Sequence, residues 1–183
     1  MALTNTTQFA NRYGLNIKIY EYTDGTVPAG DSTTPKCTVD FANVTDIEVN
    51  GDITWATGGQ GHVNKIGFND PMTGTFKLST QIMTVELLKT FACDTTTTAG
   101  TVVFKNAANS TPKYYTISAE TVWQDAAGAT YSETMTFHKV CPKRALNLSY
   151  SGEGDPMSVD FEFDLLEDAN GNMLTIKKAE ATV

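Results

Sequence analysis

The chain is poor in the side chains that most often carry chemistry. Its 183 residues include two histidines and three cysteines. His62 falls in a Gly-rich stretch and reads as an exposed loop histidine. His138 falls in a strand pattern and reads as facing solvent or a neighbour. They form no HExxH or His-x-His pair, and no Cys/His cluster has zinc spacing. Cys37, Cys93 and Cys141 are odd in number, widely spaced and without a CxxC pair, so free thiols in a reducing compartment are expected. No GxSxG elbow occurs. GGQGH lacks the GxxxxGK[ST] form of a phosphate loop and reads as flexible chain. No enzyme activity, cofactor or metal is therefore expected.

Positive charge is also scarce. Thirteen Lys and Arg face 21 Asp and Glu, for a net charge of −8 and an isoelectric point near 4.6. Such a surface repels phosphate backbones and excludes tight nucleic-acid binding. It does not exclude a surface past which DNA slides. No apolar run approaches the roughly 18 residues of a membrane span. The opening MALTNTTQFANRYG has no basic start followed by a long apolar segment, and is not expected to be a secretory signal. Four N-x-[ST] matches, at Asn5, Asn43, Asn109 and Asn147, read as chance in a Thr-rich chain.

What the chain has is threonine, roughly one residue in six, with many Val, Ile, Phe and Tyr. That composition favours strands. The length suits a single domain, 1–183, with a usable core. Alternation marks strands over Leu15 to Tyr22, Cys37 to Phe41 and Val44 to Val49. Asn50-Gly51 signals a hairpin into Asp52 to Ala56. A short irregular strand is expected around Val63 to Phe68, and short strands at Thr101 to Lys105 and Ala145 to Tyr150. Lys113 to Gln124 and Thr130 to Val140 form a long hairpin closed by DAAGA. On the second strand Tyr131, Met135 and Phe137 share a face with Glu133 and Lys139, a mixture suited to burial on assembly. Met157 to Asp168 forms another strand, with Met173 to Ala179 as its hairpin partner across DANGN. Residues 1–12 read as a flexible arm and 23–35 as a long loop.

The central stretch is Thr73 to Ala92, TGTFKLSTQIMTVELLKTFA. Phe76, Leu78, Thr80 and Ile82 alternate with Thr75, Lys77, Ser79 and Gln81, the period of a half-buried strand. Thr84 can then cap a helix. Val85, Leu88 and Ala92 share a face at spacings of three and four, joined by Leu87 and Phe91. At about two and a half turns this helix cannot stand alone and must lie on a sheet.

Asp160, Glu162 and Asp164 form an acidic row. It reads as a solvated edge-strand face, as a metal site, or as an anionic surface that repels DNA. Alternate carboxylates lie about 7 Å apart along a strand, wide for one ion. A glycosidase would need carboxylates across a cleft with aromatic platforms, for which Trp55 and Trp123 are the candidates.

The strand–helix unit, carried by Gly74, Thr75, Phe76, Leu78, Ser79, Thr80, Gln81, Ile82, Leu87, Leu88 and Phe91 after a Gly-rich loop, resembles that of bacteriophage tail tube (major tail) proteins. The resemblance implies a β-sandwich or barrel-type domain with long hairpins and one packing helix. It implies a structural virion subunit, made in the host bacterial cytoplasm, that self-assembles into rings of six. These stack into a hollow tube through which genomic DNA passes without specific binding. Tape-measure, chaperone and terminator proteins would be its partners, with no membrane. The helix face Val85, Leu87, Leu88 and Phe91 would be core or subunit interface. Segments 1–12 and 23–35 would be arms to the next ring. Met157 to Ala179 with Lys113 to Val140 would line the lumen, made acidic by Asp160, Glu162 and Asp164. Lys177 and Lys178 sit against that expectation. The alternative is a monomeric β-sandwich binding module, such as a carbohydrate-recognition or capsid or tail decoration domain.

Overall fold

The structure, a computed structural model, describes residues 8–11, 14–23, 34–40, 42, 44–58, 63–106, 111–150, 152 and 156–180. In chain order these form β1 (Phe9–Asn11), β2 (Asn16–Glu21), β3 (Cys37–Val39), β4 (Val44–Asn50), β5 (Ile53–Gly58), β6 (Val63–Asn69), β7 (Thr73–Thr80), α1 (Val85–Ala92), β8 (Tyr115–Asp125), β9 (Thr130–Pro142), β10 (Val159–Leu166) and β11 (Leu174–Glu180). The fold is mainly β, of sandwich type, as the sequence led us to expect. One antiparallel sheet runs β3-β2-β8-β9-β10-β7-β4, with β1 added to β8 and β11 added to β9. It is not a closed barrel.

The sheet curls around its apolar face. Ile17, Ile19, Phe76, Leu78, Ile117, Phe137, Val140, Phe161 and Phe163 are all essentially excluded from water. Helix α1 closes this core. Phe91 meets Phe161 at 5.0 Å and Phe163 at 5.8 Å between ring centroids, both edge-on, the arrangement that ring quadrupoles favour. Thr84 caps the helix, its hydroxyl accepting the Leu87 N–H at 3.1 Å. Leu87 and Phe91 are buried and Leu88 is partly buried. Val85 instead faces water, because the first turn of the helix, Thr84 to Glu86, is exposed while Lys89 to Ala92 are all buried.

The strand at Thr73 stops at Thr80, before Ile82. The buried Thr80 hydroxyl bonds to both the N–H and the carbonyl of Ile82. This turns the chain, and Ile82 is 78% exposed. Gly74 is required where β7 runs between β4 and β10. A Cβ there would lie 2.8 Å from the Glu48 carbonyl oxygen and 2.9 Å from Leu165 Cδ1.

Several expected pairings are corrected. β5 does not return on β4 across Asn50-Gly51; the chain runs on outward and β5 pairs with β6 as a separate two-stranded sheet, beyond the point where β4 and β7 end their pairing at Asn50 and Thr73, with the Asp70 N–H on the Asp52 carbonyl between the two ladders. Residues 101–106 and 143–150 are not strands. In the first, the Asp94 carboxylate accepts the Val103 N–H at 2.8 Å, which ties the segment to the helix end instead of a sheet. β11 does not pair with β10, whose edges are taken by β7 and β9; it pairs with β9. Of the expected N-terminal arm, Phe9–Asn11 is a strand on β8. Residues 1–7 and 12, His62 and most of 23–35 lie outside the described residues.

Candidate functional site

The long β8–β9 hairpin serves two partners along each edge. On the β8 edge, β2 takes Tyr115 to Glu120 and β1 takes Trp123 to Asp125. On the β9 edge, β10 takes Lys139 to Pro142 and β11 takes Tyr131 to Phe137. The hairpin's foot thus belongs to the sandwich. Its outer part, with β1 and β11, forms a four-stranded blade. Among the described residues β1 pairs only with β8 and β11 only with β9, so each presents a second edge of backbone donors and acceptors.

One face of the blade is finished within the subunit. Tyr131, Glu133, Met135 and Phe137 are buried rather than awaiting assembly. Glu133 is neutralised by Lys178 at 3.0 Å, whose ammonium also stands 3.9 Å from the Trp123 ring centre, a favourable cation–π contact. Lys139 leaves that face because the register shifts near the foot of the hairpin; its ammonium sits between the Tyr22 and Tyr114 rings at 5.2 and 4.8 Å. The opposite face is rich in hydroxyls. By register, Thr175 and Lys177 lie beside Thr136 and Thr134, and Ser118 and Glu120 follow on β8. Glu120 is paired with Lys18 at 3.3 Å.

The acidic row lies elsewhere. Asp160, Glu162 and Asp164 point outward from β10 opposite Ser79, Lys77 and Thr75 of β7, with Asp46 and Glu48 next on β4. Lys143 pairs with Glu162 and, at 3.4 Å, with Asp164. Its hydrogen bond lowers the Glu162 pKa, and the same bond raises that of Lys143. Lys177 is therefore no diluent of this row, being on a different strand and region of the sheet. Among the described residues no group of three or more His, Cys, Asp or Glu side chains could hold a metal ion.

Sequence reasoning missed a polar joint where body and blade meet. His138 is 8% exposed. Its Nε2 lies 2.8 Å from Thr175 Oγ1, and its Nδ1 lies 3.3 Å from Asp168 Oδ2, an ion-pair approach without the alignment of a hydrogen bond. The Asp168 Oδ1 accepts the N–H groups of Asn170 and Asn172, both at 2.8 Å. Those bonds hold the Asp168 pKa below its ordinary value, with His138 adding to the effect. Carboxylate, imidazole and hydroxyl thus stand in line, the order of an activated nucleophile. Catalysis would also need donors aimed at a developing oxyanion. The nearby turn N–H groups of Asn170, Gly171 and Asn172 are spent on Asp168. The network is a fastening between β9, the 168–172 turn and β11. Its sequence signal was Asp-x-x-Gly-x, which also occurs at Asp125.

All three cysteines are unpaired, and burial pushes the Cys37 thiol up to about 11. Of the two candidate platforms, Trp123 lies under Lys178, while Trp55 stands exposed on β5. Among the described residues no helix is long and apolar enough to cross a membrane. Set against known proteins, the chain matches no family model and no curated sequence.

Proposed function

We infer that the chain is a structural subunit that assembles edge to edge into rings, as the tail tube resemblance implies, and that it has no enzymatic role. The carrying observation is the four-stranded blade with an open strand on each side. β11 of one copy would take β1 of the next, and a ring of such pairings would cover the edge of β1 and the matching part of β11. Four strands from each of six copies make about two dozen. That exceeds the roughly 16 to 18 strands with which barrels already enclose an aqueous channel. The hydroxyl-rich face of β8, β9 and β11 would line the channel. It offers a hydrated wall on which Lys177 is the principal cation, since Lys18 is paired. A phosphate backbone would find few counterions to displace there. The carboxylates of β10 and β4 would then lie beside the channel wall rather than on it.

The exposed Trp55 favours a second reading, a monomeric carbohydrate-binding module. One experiment separates the two: negative-stain microscopy of the purified chain over a concentration series, with sedimentation in parallel. Rings or tubes with stain-filled centres are expected. A monomer at all concentrations whose Trp fluorescence is quenched by glycans would replace assembly with the binding module.

A further inference from the structure

Asn50-Gly51 is a hairpin signal that makes no hairpin, and it leaves a reactive pair at the end of β4. The chain has two Asn-Gly pairs, Asn50-Gly51 and Asn170-Gly171. In such a pair the glycine nitrogen is the nucleophile next to the asparagine side-chain carbonyl, and no glycine Cβ stands in its way. The nitrogen gives its proton to hydroxide and attacks the asparagine Cγ. An N–Cγ bond forms, the Cγ–Nδ2 bond breaks, and Nδ2 leaves as ammonia with a proton from water. Water then opens the cyclic imide at either carbonyl and gives aspartate or isoaspartate. The net reaction consumes water and releases ammonia, with no oxidant or enzyme.

All four residues are exposed, so water reaches both pairs alike. Their backbones differ. Gly171 is left-handed at φ 78°, and its N–H donates to the Asp168 carbonyl at 3.0 Å. On either side of it the Asn170 and Asn172 N–H groups are held by Asp168 Oδ1. Swinging the Gly171 nitrogen onto the Asn170 side chain would break these bonds together. Asn50, by contrast, is the last residue of β4 and pairs with Thr73 at the last rung of the β4–β7 ladder. Gly51 and Asp52 lie between that ladder and the β5–β6 hairpin, an arm that shares no ladder with the main sheet. Among the described residues the Gly51 N–H makes no hydrogen bond. Asn50 Nδ2 donates to Glu48 Oε1 at 2.8 Å, an exposed bond for which water can substitute.

We propose that Asn50 is the deamidation site of the folded chain and that the Asp168 turn shields Asn170. Either product sets a second carboxylate beside Glu48, and isoaspartate lengthens the main chain where the body passes into the arm. None of this requires copies to meet. The test is peptide mapping by mass spectrometry of the full chain, incubated at mildly alkaline pH in buffer and in guanidinium chloride. In buffer Asn50 should lose its amide at least about tenfold faster than Asn170, the factor that two or more turn hydrogen bonds supply. In guanidinium chloride the two rates should converge. Equal rates in buffer, a faster Asn170, or no loss at Asn50 while the denatured chain reacts would each overturn the proposal. Gly51→Ala places a Cβ 3.4 Å from Met72 Cγ, an ordinary contact. It should therefore keep the wild-type thermal midpoint and suppress the loss at Asn50; undiminished loss would rule out attack by the residue 51 nitrogen. Asp168→Ala should speed the loss at Asn170 and leave Asn50 unchanged. An unaltered Asn170 rate would remove the shield.

Discussion

Two five-residue turns of this chain are built alike and do different things. In Asp125-Ala-Ala-Gly-Ala129 and Asp168-Ala-Asn-Gly-Asn172, the first residue's N–H donates to the fifth residue's carbonyl at 3.0 Å, and the glycine N–H returns to the aspartate carbonyl. Each aspartate Oδ1 accepts the N–H groups of the third and fifth residues. Each glycine is left-handed, Gly128 at φ 88° and Gly171 at φ 78°. Yet the first turn closes the β8–β9 hairpin, and the second interrupts two collinear strands that both lie on β9. The difference is tertiary. β8 reaches its turn with an edge free for β9, whereas β10 reaches its turn with β7 on one side and β9 on the other. A turn sets the geometry of its neck; the free edges nearby decide what the outgoing strand pairs with.

The largest effect is expected where β10 loses its seat. Phe163 is fully buried, 6.2 Å from Phe76 and 5.8 Å from Phe91 between ring centroids. Phe163→Ala should cost about 3–5 kcal/mol in urea denaturation and loosen both turns together. Gly74→Ala should cost about 1–3 kcal/mol through overpacking, because β7 cannot withdraw from β4 without releasing β10. A loss under about 0.5 kcal/mol would mean that β7 does not confine β10.

Smaller changes sharpen the contrast. Gly128→Ala and Gly171→Ala should each cost about 1–2 kcal/mol for the left-handed backbone. Hydrogen exchange should then separate them. The first should expose amides of β8 and β9 at the blade tip, the second those of β11 alone. Thr175→Val removes the partner of the buried His138 Nε2 and should cost about 1–2 kcal/mol, with exchange again confined to β11. Equal exchange changes along β10 would contradict the fastening assigned to His138.

The mildest test is acid. At Asp125, burial pulls the carboxyl pKa up, and the Ala129 N–H and Tyr131 hydroxyl more than reverse it; at Asp168 the Asn172 N–H leads the lowering. Asp94 follows the same logic more strongly, brought to about 2 by Val103 and Thr96 against burial. A carboxyl with a lowered folded pKa stabilises the fold above its unfolded value, about 3.9, and loses that contribution as pH falls through the folded value. Urea midpoints should therefore be flat with respect to these groups above about pH 5 and decline from about pH 4 towards 2. Asp94→Asn should flatten that decline more than Asp168→Asn.

Much of the body was legible in the sequence because its signals are local. The alternation Phe76, Leu78, Thr80 and the cap at Thr84 depend on near neighbours. So do the alternating Val159, Phe161, Phe163 and Leu165, which the structure buries. The pairing of β11 was not legible, since Asn170-Gly171 describes a turn and says nothing of β7, which already holds the other edge of β10. Ile82 misled because the Thr80 hydroxyl bends the chain one residue before the alternation runs out. Of the candidate site, the long hairpin was visible in its length. Its open edges depend on three residues, Phe9–Asn11, whose pattern is too short to register as a strand. The acidic row was visible as a row, but Lys143, which pairs with it, belongs to a segment with no regular structure.

β9 has a mechanical consequence. It is 13 residues of unbroken strand, anchored in the core at its Val140 end and carrying the blade at its Tyr131 end. A pull along β9 from the blade would load the ladders to β8, β10 and β11 in shear, many bonds at once. A pull that draws β5 and β6 apart would open that hairpin one pair at a time. The same chain is therefore stiff along the axis of its longest strand and compliant at its arm, a beam with a soft coupling.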